Sequence, residues 1–288
     1  MISNNNINIP SLVLAISFFS CGVETAPDSQ SHEVQNQEEL PPETPTAPEI
    51  PTTPPHPLAP LVEGTYALRT DSVTEGNFPI IGRIESRMIS YALATIQQEG
   101  DGFTITEQSC RYEMGGGSDA MISDTVPTSL EPITATITFE GEGDNITYQR
   151  EETIQLIGVR LDDPANDPLP TDPEDERIFD QEGDGKPGAT ASIAGGVDGG
   201  ELLSGDAYFI QRQKFSYSGT RNRNGKLSGL LDDDSNQQVI DATNGFLLLE
   251  ITNSVPLPEL STAILVPLTG GYDCARISAE SANLFPNQ

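Results

Sequence analysis

Tryptophan is absent from the 288 residues, histidine occurs twice, and Lys plus Arg number 14 against 44 Asp plus Glu. Each shortage removes a class of function. A formal charge of −30 repels phosphate backbones and anionic headgroups, so nucleic-acid binding and electrostatic docking on acidic membranes are disfavoured. Both histidines, His32 and His56, fall in a Pro-rich N-terminal stretch with no core-forming pattern. The folded part is therefore expected to hold no Ser-His-Asp or Cys-His nucleophile arrangement and no imidazole ligand for zinc. Lysine is as scarce, and with Lys186 and Lys226 in or beside turns a buried Schiff-base lysine is not expected. The reading is of a protein that is not an enzyme; hydrolysis by a carboxylate pair stays open in principle only because acids are so numerous.

Three cysteines are an odd number, resolved if Cys21 is used differently from Cys110 and Cys274. Cys21 closes the apolar run Leu12-Val13-Leu14-Ala15-Ile16-Ser17-Phe18-Phe19-Ser20, which is too short to cross a bilayer as a helix. This run resembles the signal peptide and lipobox of bacterial lipoproteins, in which a thiol after a small residue takes the lipid. Phe18 stands where Leu is usual, and no Lys or Arg precedes the run. The resemblance implies lipidation at Cys21 and an exported chain anchored in the bacterial cell envelope, at the outer membrane. In that oxidising compartment Cys110 and Cys274 are free to form a disulfide.

From Glu24 to Pro60 the chain is Pro, Glu, Thr, Gln and Ser, a composition that gives an extended tether without a core. The expected organisation is a signal segment over 1–21, a tether over 22–60 and one β domain over 61–288. Alternation with period two marks the strands. In Ile89-Ser90-Tyr91-Ala92-Leu93-Ala94 the large residues take one face and the small ones the other, and Ile133 to Glu140 alternates as cleanly. Short turns such as Glu99-Gly100-Asp101-Gly102 and Asn222-Arg223-Asn224-Gly225 join successive strands. Nine to eleven strands and no helix are expected, the last strand over Tyr272 to Ile277. The fold class is all-β: an antiparallel meander closing into a barrel, with a β-sandwich as the alternative. The start Gly64-Thr65-Tyr66 and a late Arg276 beside a cysteine resemble the lipocalin pattern, which has Trp where Tyr66 stands.

One segment breaks the strand rhythm. Leu161 to Thr190 holds ten carboxylates, five prolines and three glycines, which exclude a long helix or central strand. Within it, Asp180-Gln181-Glu182-Gly183-Asp184-Gly185-Lys186 resembles the acidic half of EF-hand, dockerin and thrombospondin type 3 loops. The resemblance implies a Ca²⁺ site made by Asp180, Glu182, Asp184 and the Lys186 backbone carbonyl, with Asp172 or Asp175 supplying missing ligands. Ala191 takes the twelfth position, so the bidentate Glu of an EF-hand is lacking. A second acidic run, Asp232-Asp233-Asp234, reads as a solvated strand end that could join a cation site.

Two functions follow. The first is a cell-envelope lipoprotein whose calcium- and disulfide-braced β domain is a structural or interaction module. The second is a lipocalin-like carrier holding a small apolar ligand in the barrel, which requires the small face Ser90, Ala92, Ala94 to point inward.

Overall fold

The computed structural model describes residues 55–78, 82–115, 120–194, 204–248 and 252–286. The leader, Cys21, His32 and most of the tether lie outside these. Twelve strands form one sheet: β1 (Gly64–Phe78), β2 (Gly82–Glu99), β3 (Gly102–Gly115), β4 (Ala120–Ile122), β5 (Ile133–Glu142), β6 (Asn145–Ile157), β7 (Ala189–Ala194), β8 (Ser204–Arg221), β9 (Leu227–Asp233), β10 (Asn236–Ala242), β11 (Thr252–Pro256) and β12 (Thr262–Pro267). Every strand pairing is antiparallel. Three short helices accompany them, α1 (Ala59–Val62), α2 (Thr125–Ser129) and α3 (Cys274–Leu284).

The expected all-β antiparallel meander is present, and its ring of strands fits the barrel and the sandwich alike. Strands β1, β2, β3, β5 and β6 follow one another as a meander, and β8, β9 and β12 complete a closed ring of eight. The strands are not spaced evenly round an axis, so the barrel is flattened toward a sandwich. Closure between β8 and β9 is unusually tight. Gly219 faces Gly229 across the ladder; a methyl group at Gly219 would lie 2.1 Å from the Ser228 carbonyl oxygen, and one at Gly229 1.8 Å from that of Ser218. Only residues without a Cβ allow this approach.

Strand β8 outruns the ring. Its residues 211–221 pair with β6 and 215–221 with β9, whereas Ala207 to Phe209 lie between β7 on one edge and β10 on the other. Strands β4, β7 and β10 thus extend one end of the barrel.

The two ends differ. At one, the interior is filled by Ile96, Phe103, Ile105, Ile137, Phe139, Ile146, Leu227 and Leu265, and α1 covers it with Ala59 and Val62. The Tyr66 hydroxyl donates to Val62 O at 2.7 Å, and Arg221 Nε to Leu61 O at 3.0 Å. The packed body begins earlier than composition suggests. His56 meets the Phe103 ring edge-on at 5.0 Å and its N–H donates to Gln98 Oε1 at 2.7 Å, so this histidine belongs to the domain rather than to the tether.

The C-terminal end corrects another expectation, since Tyr272 to Ile277 is not a strand. Asp273 caps α3, its carboxylate accepting the Arg276 N–H at 2.8 Å, and Arg276 bonds Glu280 one turn on at 2.9 Å. Those local signals outweigh the short apolar run. Arg276 lies on this outer helix, not at the start of the barrel. The helix lays Ile277 on Ala67, Tyr91 and Ile264 on the outside of the sheet. The apolar run Phe246 to Ile251 also predicts a strand, but Gly245–Leu248 forms a 3-10 turn, and residues 249–251 lie outside the described set. Strands β4 and β11 and helix α2 are too short for a periodic signature.

A bulge on β3 opposite Tyr91 and Ala92 sets Cys110 facing outward, where it is bonded to Cys274 across 164 residues of sequence. The chain-entropy model assigns such a closure about 5 kcal/mol at most. In denaturant unfolding, the double variant Cys110→Ser/Cys274→Ser is expected to lose several kcal/mol, up to that figure. An unchanged midpoint would mean that α3 holds to the sheet by apolar packing alone.

Candidate functional site

The extended end of the barrel is hollow. A cavity of about 700 Å³ opens there, within the range of small-molecule sites. Its wall follows from strand parity. Leu68, Thr70, Ser72 and Thr74 of β1, Ser86, Met88, Ser90 and Ala92 of β2, and Gln211, Gln213 and Phe215 of β8 all line it. The partners of the β2 residues, Ile89, Tyr91 and Leu93, go outward under α3. The small face of β2 therefore points inward, which is the condition the carrier reading sets. Small inward residues leave the space, and Tyr112, Ile122, Phe209 and Met114 pack the wall of the extension.

Between the filled end and the hollow one sits a buried polar group. Arg150 is fully buried. Its Nη2 donates to Glu107 Oε2 at 2.8 Å, and its Nη1 donates to the carbonyls of Glu151 at 2.8 Å and Phe215 at 2.9 Å. The Glu151 carbonyl comes within reach because β6 bulges between Arg150 and Thr153. The guanidinium also lies over Phe215, 4.7 Å from the ring centroid, and Tyr217 at 5.5 Å. The Tyr217 hydroxyl donates to the other carboxylate oxygen, Glu107 Oε1. Burial, reinforced by the Glu107 charge and opposed by Arg150, pushes the Tyr217 hydroxyl well above its ordinary range, so it stays a donor. Glu107 is buried yet forms part of the cavity wall.

Sequence reading missed this triad, though a signal was there. Glu107 is in phase with Phe103 and Ile105, and Arg150 with Ile146 and Tyr148, so period two aims both charges into the core. A buried acid and a buried base on inward faces of one barrel have to meet.

The acidic loop is braced by its own hydrogen bonds and packed against the sheet. It lies on the outer side of the sheet, where Leu161, Leu169 and Ile178 pack on Tyr208, Ile210 and Ile240. Arg160 covers the Phe179 ring at 4.3 Å, and Arg212 donates to the Asp167 carbonyl. Gly158 and Gly188 let the loop's two ends cross, since a methyl on Gly158 would fall 2.6 Å from Gly188 Cα. Asp180 accepts the N–H groups of Gly183, Asp184 and Gly185 at 2.7, 3.1 and 2.7 Å. Glu182 accepts from Thr190 N, and Asp184 from Lys186 N and the Thr190 hydroxyl, each at 2.8 Å. Asp172 accepts from Glu174 N, and Asp175 holds Arg177 through both oxygens. Among the described residues no three acids, histidines or cysteines converge as a metal would require. In the second acidic run, Asp233 and Asp234 line the cavity, and Asp234 pairs with Lys214 at 2.8 Å.

Comparison with known protein families, with curated proteins and with solved structures finds no match. Fold and site alone define the class: an eight-stranded antiparallel barrel, plugged at one end and hollow at the other. No helix among the described residues is long and apolar enough to cross a membrane.

The loop's acids fix its response to pH. Arg177 holds Asp175 down to about 2. Burial would raise Asp180, but the N–H groups of Gly185, Gly183 and Asp184 outweigh it and hold the carboxyl below its usual value; Asp163 is lowered by Asn166 despite its own desolvation. Groups with lowered folded values stabilise above their unfolded value of about 4 and lose that contribution as pH falls through the folded one. Glu182 is raised by burial and acts in the opposite sense, favouring its protonated form. Three groups against one predict that the loop loosens between pH ~4 and ~2. Hydrogen exchange should show the Gly183–Gly185 amides losing protection there while the amides of β2 and β3 keep theirs.

Proposed function

We propose that this protein is a binding protein that holds a small molecule with an apolar body in the hollow end of its barrel, and that Cys21 anchors it by lipid in a bacterial cell envelope. The observation that carries the reading is the cavity of about 700 Å³ with the small residues of β2 turned into it. A filled barrel would have served only as a scaffold, and here the filled half and the hollow half are separated by a fixed polar layer.

The test is occupancy. An environment-sensitive dye should bind the purified protein and be displaced by C10 amphiphiles. Ser90→Phe, which fills the cavity without touching the disulfide or the buried triad, should weaken dye binding by ~10-fold or more while leaving the melting temperature within a few degrees. Equal binding by wild type and Ser90→Phe would place the dye elsewhere and remove the reading.

Calcium at the acidic loop is a second, separate proposal. Asp180, Glu182, Asp184 and the Lys186 carbonyl would hold the ion only after Asp184 exchanges its bonds to Lys186 N and Thr190 for the metal. Millimolar CaCl₂ is then expected to raise the melting temperature, by the equivalent of about 1.4 kcal/mol at ten times the dissociation constant. EGTA should reverse the rise and Asp184→Asn should abolish it. A melt indifferent to both would leave the loop braced by its own hydrogen bonds and Leu161, Leu169 and Ile178.

A further inference from the structure

The cavity is not uniformly apolar, and its polar groups are unequal. Most are hydroxyls and amides, including Thr70, Ser72, Ser90 and Gln213, which can donate or accept and so discriminate little. Glu107 differs. It is the one ion among the lining residues that is almost fully buried, at 4% exposure, and it acts only as an acceptor. A carboxylate offers about four lone-pair sites; Tyr217 takes one on Oε1 and Arg150 one on Oε2. Neither neighbour can swing away to serve a ligand. Arg150 is pinned by two backbone carbonyls and stacked on Phe215, and Tyr217 is packed in the filled core.

Space in front of the carboxylate comes from β2, where Ala94 pairs with Glu107 and Ala92 with Ser109. A larger residue at Ala92 would screen the acid from the cavity. Of the other charges on the lining, Asp233 and Asp234 outnumber Arg87, and with the overall −30 they disfavour an incoming anion.

We infer that Glu107 reads the head group of the bound molecule: the ligand carries a hydrogen-bond-donating, non-anionic head, an alcohol or an ammonium, which enters first and bonds Glu107, with its apolar body in the cavity behind. This rests on the proposed binding function and adds the ligand's chemical class to it. Fatty acids and phosphate esters are thereby excluded as ligands, since each presents acceptors and negative charge to a fixed acceptor.

Isothermal titration calorimetry of the full chain with decanol, decylamine, decanoate and decane at neutral pH separates the possibilities. Decanol, decylamine or both should bind ~10-fold or more tightly than decanoate and decane, the scale of one hydrogen bond to a charged partner; the two arms distinguish the alcohol from the cation. The variant Glu107→Met/Arg150→Met removes both charges at similar volume, a replacement that buried ion pairs tolerate, and should erase that preference while decane binding persists. Decanoate matching decanol in the wild type, or the preference surviving in the double variant, would overturn the assignment to Glu107. If the double variant fails to fold, the wild-type ranking still decides. Binding of all four probes with equal affinity, lost in Ser90→Phe, would overturn the head-group inference and leave the cavity reading standing. Binding of none would overturn both.

Discussion

A strand has two edges, and β8 uses both twice. Over 215–221 it closes the ring between β6 and β9; over 207–209 it sits between β7 and β10. The switch of partners lets the barrel be tight at one end and wide at the other. Where β9 lies against β8, Gly219 and Gly229 bring the backbones into contact and the interior is narrow enough for Ile137, Ile146 and Leu227 to fill it. Where β10 and β7 take over, the wall moves outward, and the small side chains Ser72, Ser86, Ser90 and Ala92 on β1 and β2 leave room inside. The hollow is therefore a product of pairing geometry as much as of residue size.

The buried Glu107–Arg150 pair marks the boundary between the two regimes. Removing one charge from a buried pair strands the other and typically costs about 3–5 kcal/mol, whereas an intact buried pair contributes little net stability. Its worth lies in position: Arg150 is held by two carbonyls, two aromatic faces and one carboxylate, which makes the layer rigid. A rigid polar floor under an adaptable hydroxyl-lined wall is an arrangement suited to selecting one end of a molecule and tolerating variation in the rest.

Much of this was legible in the chain itself. Alternation in β2, β3 and β5 announces an antiparallel sheet with one face inward, and the parity of Ser90 and Ala92 foretells a gap if that face is the interior. The pairing of Cys110 with Cys274 follows from the unlike setting of Cys21. The acidic segment was harder. The glycines at 183 and 185 turn backbone N–H groups onto Asp180, a bracing that composition does not announce, and three scattered apolar residues, too far apart to form a pattern, anchor the segment to the sheet. Helix α3 escaped because Asp273 and the Arg276–Glu280 pair are local signals set beside a short β-like run. Glu107 and Arg150 were hidden by habit: a charge in an alternating strand is taken as facing water, whatever its phase.

Ring closure also sets an order of events during synthesis. Strand β12 joins β1, among the first strands made, to β9, so the sheet has two open edges until residue 267 has left the ribosome. Until then the ladder edges of β1 and β9 are free to find each other's neighbours in another copy of the chain, the condition under which β-rich proteins aggregate. Late arrival of β12 means that the ring can close only once nearly all of its strands have been made.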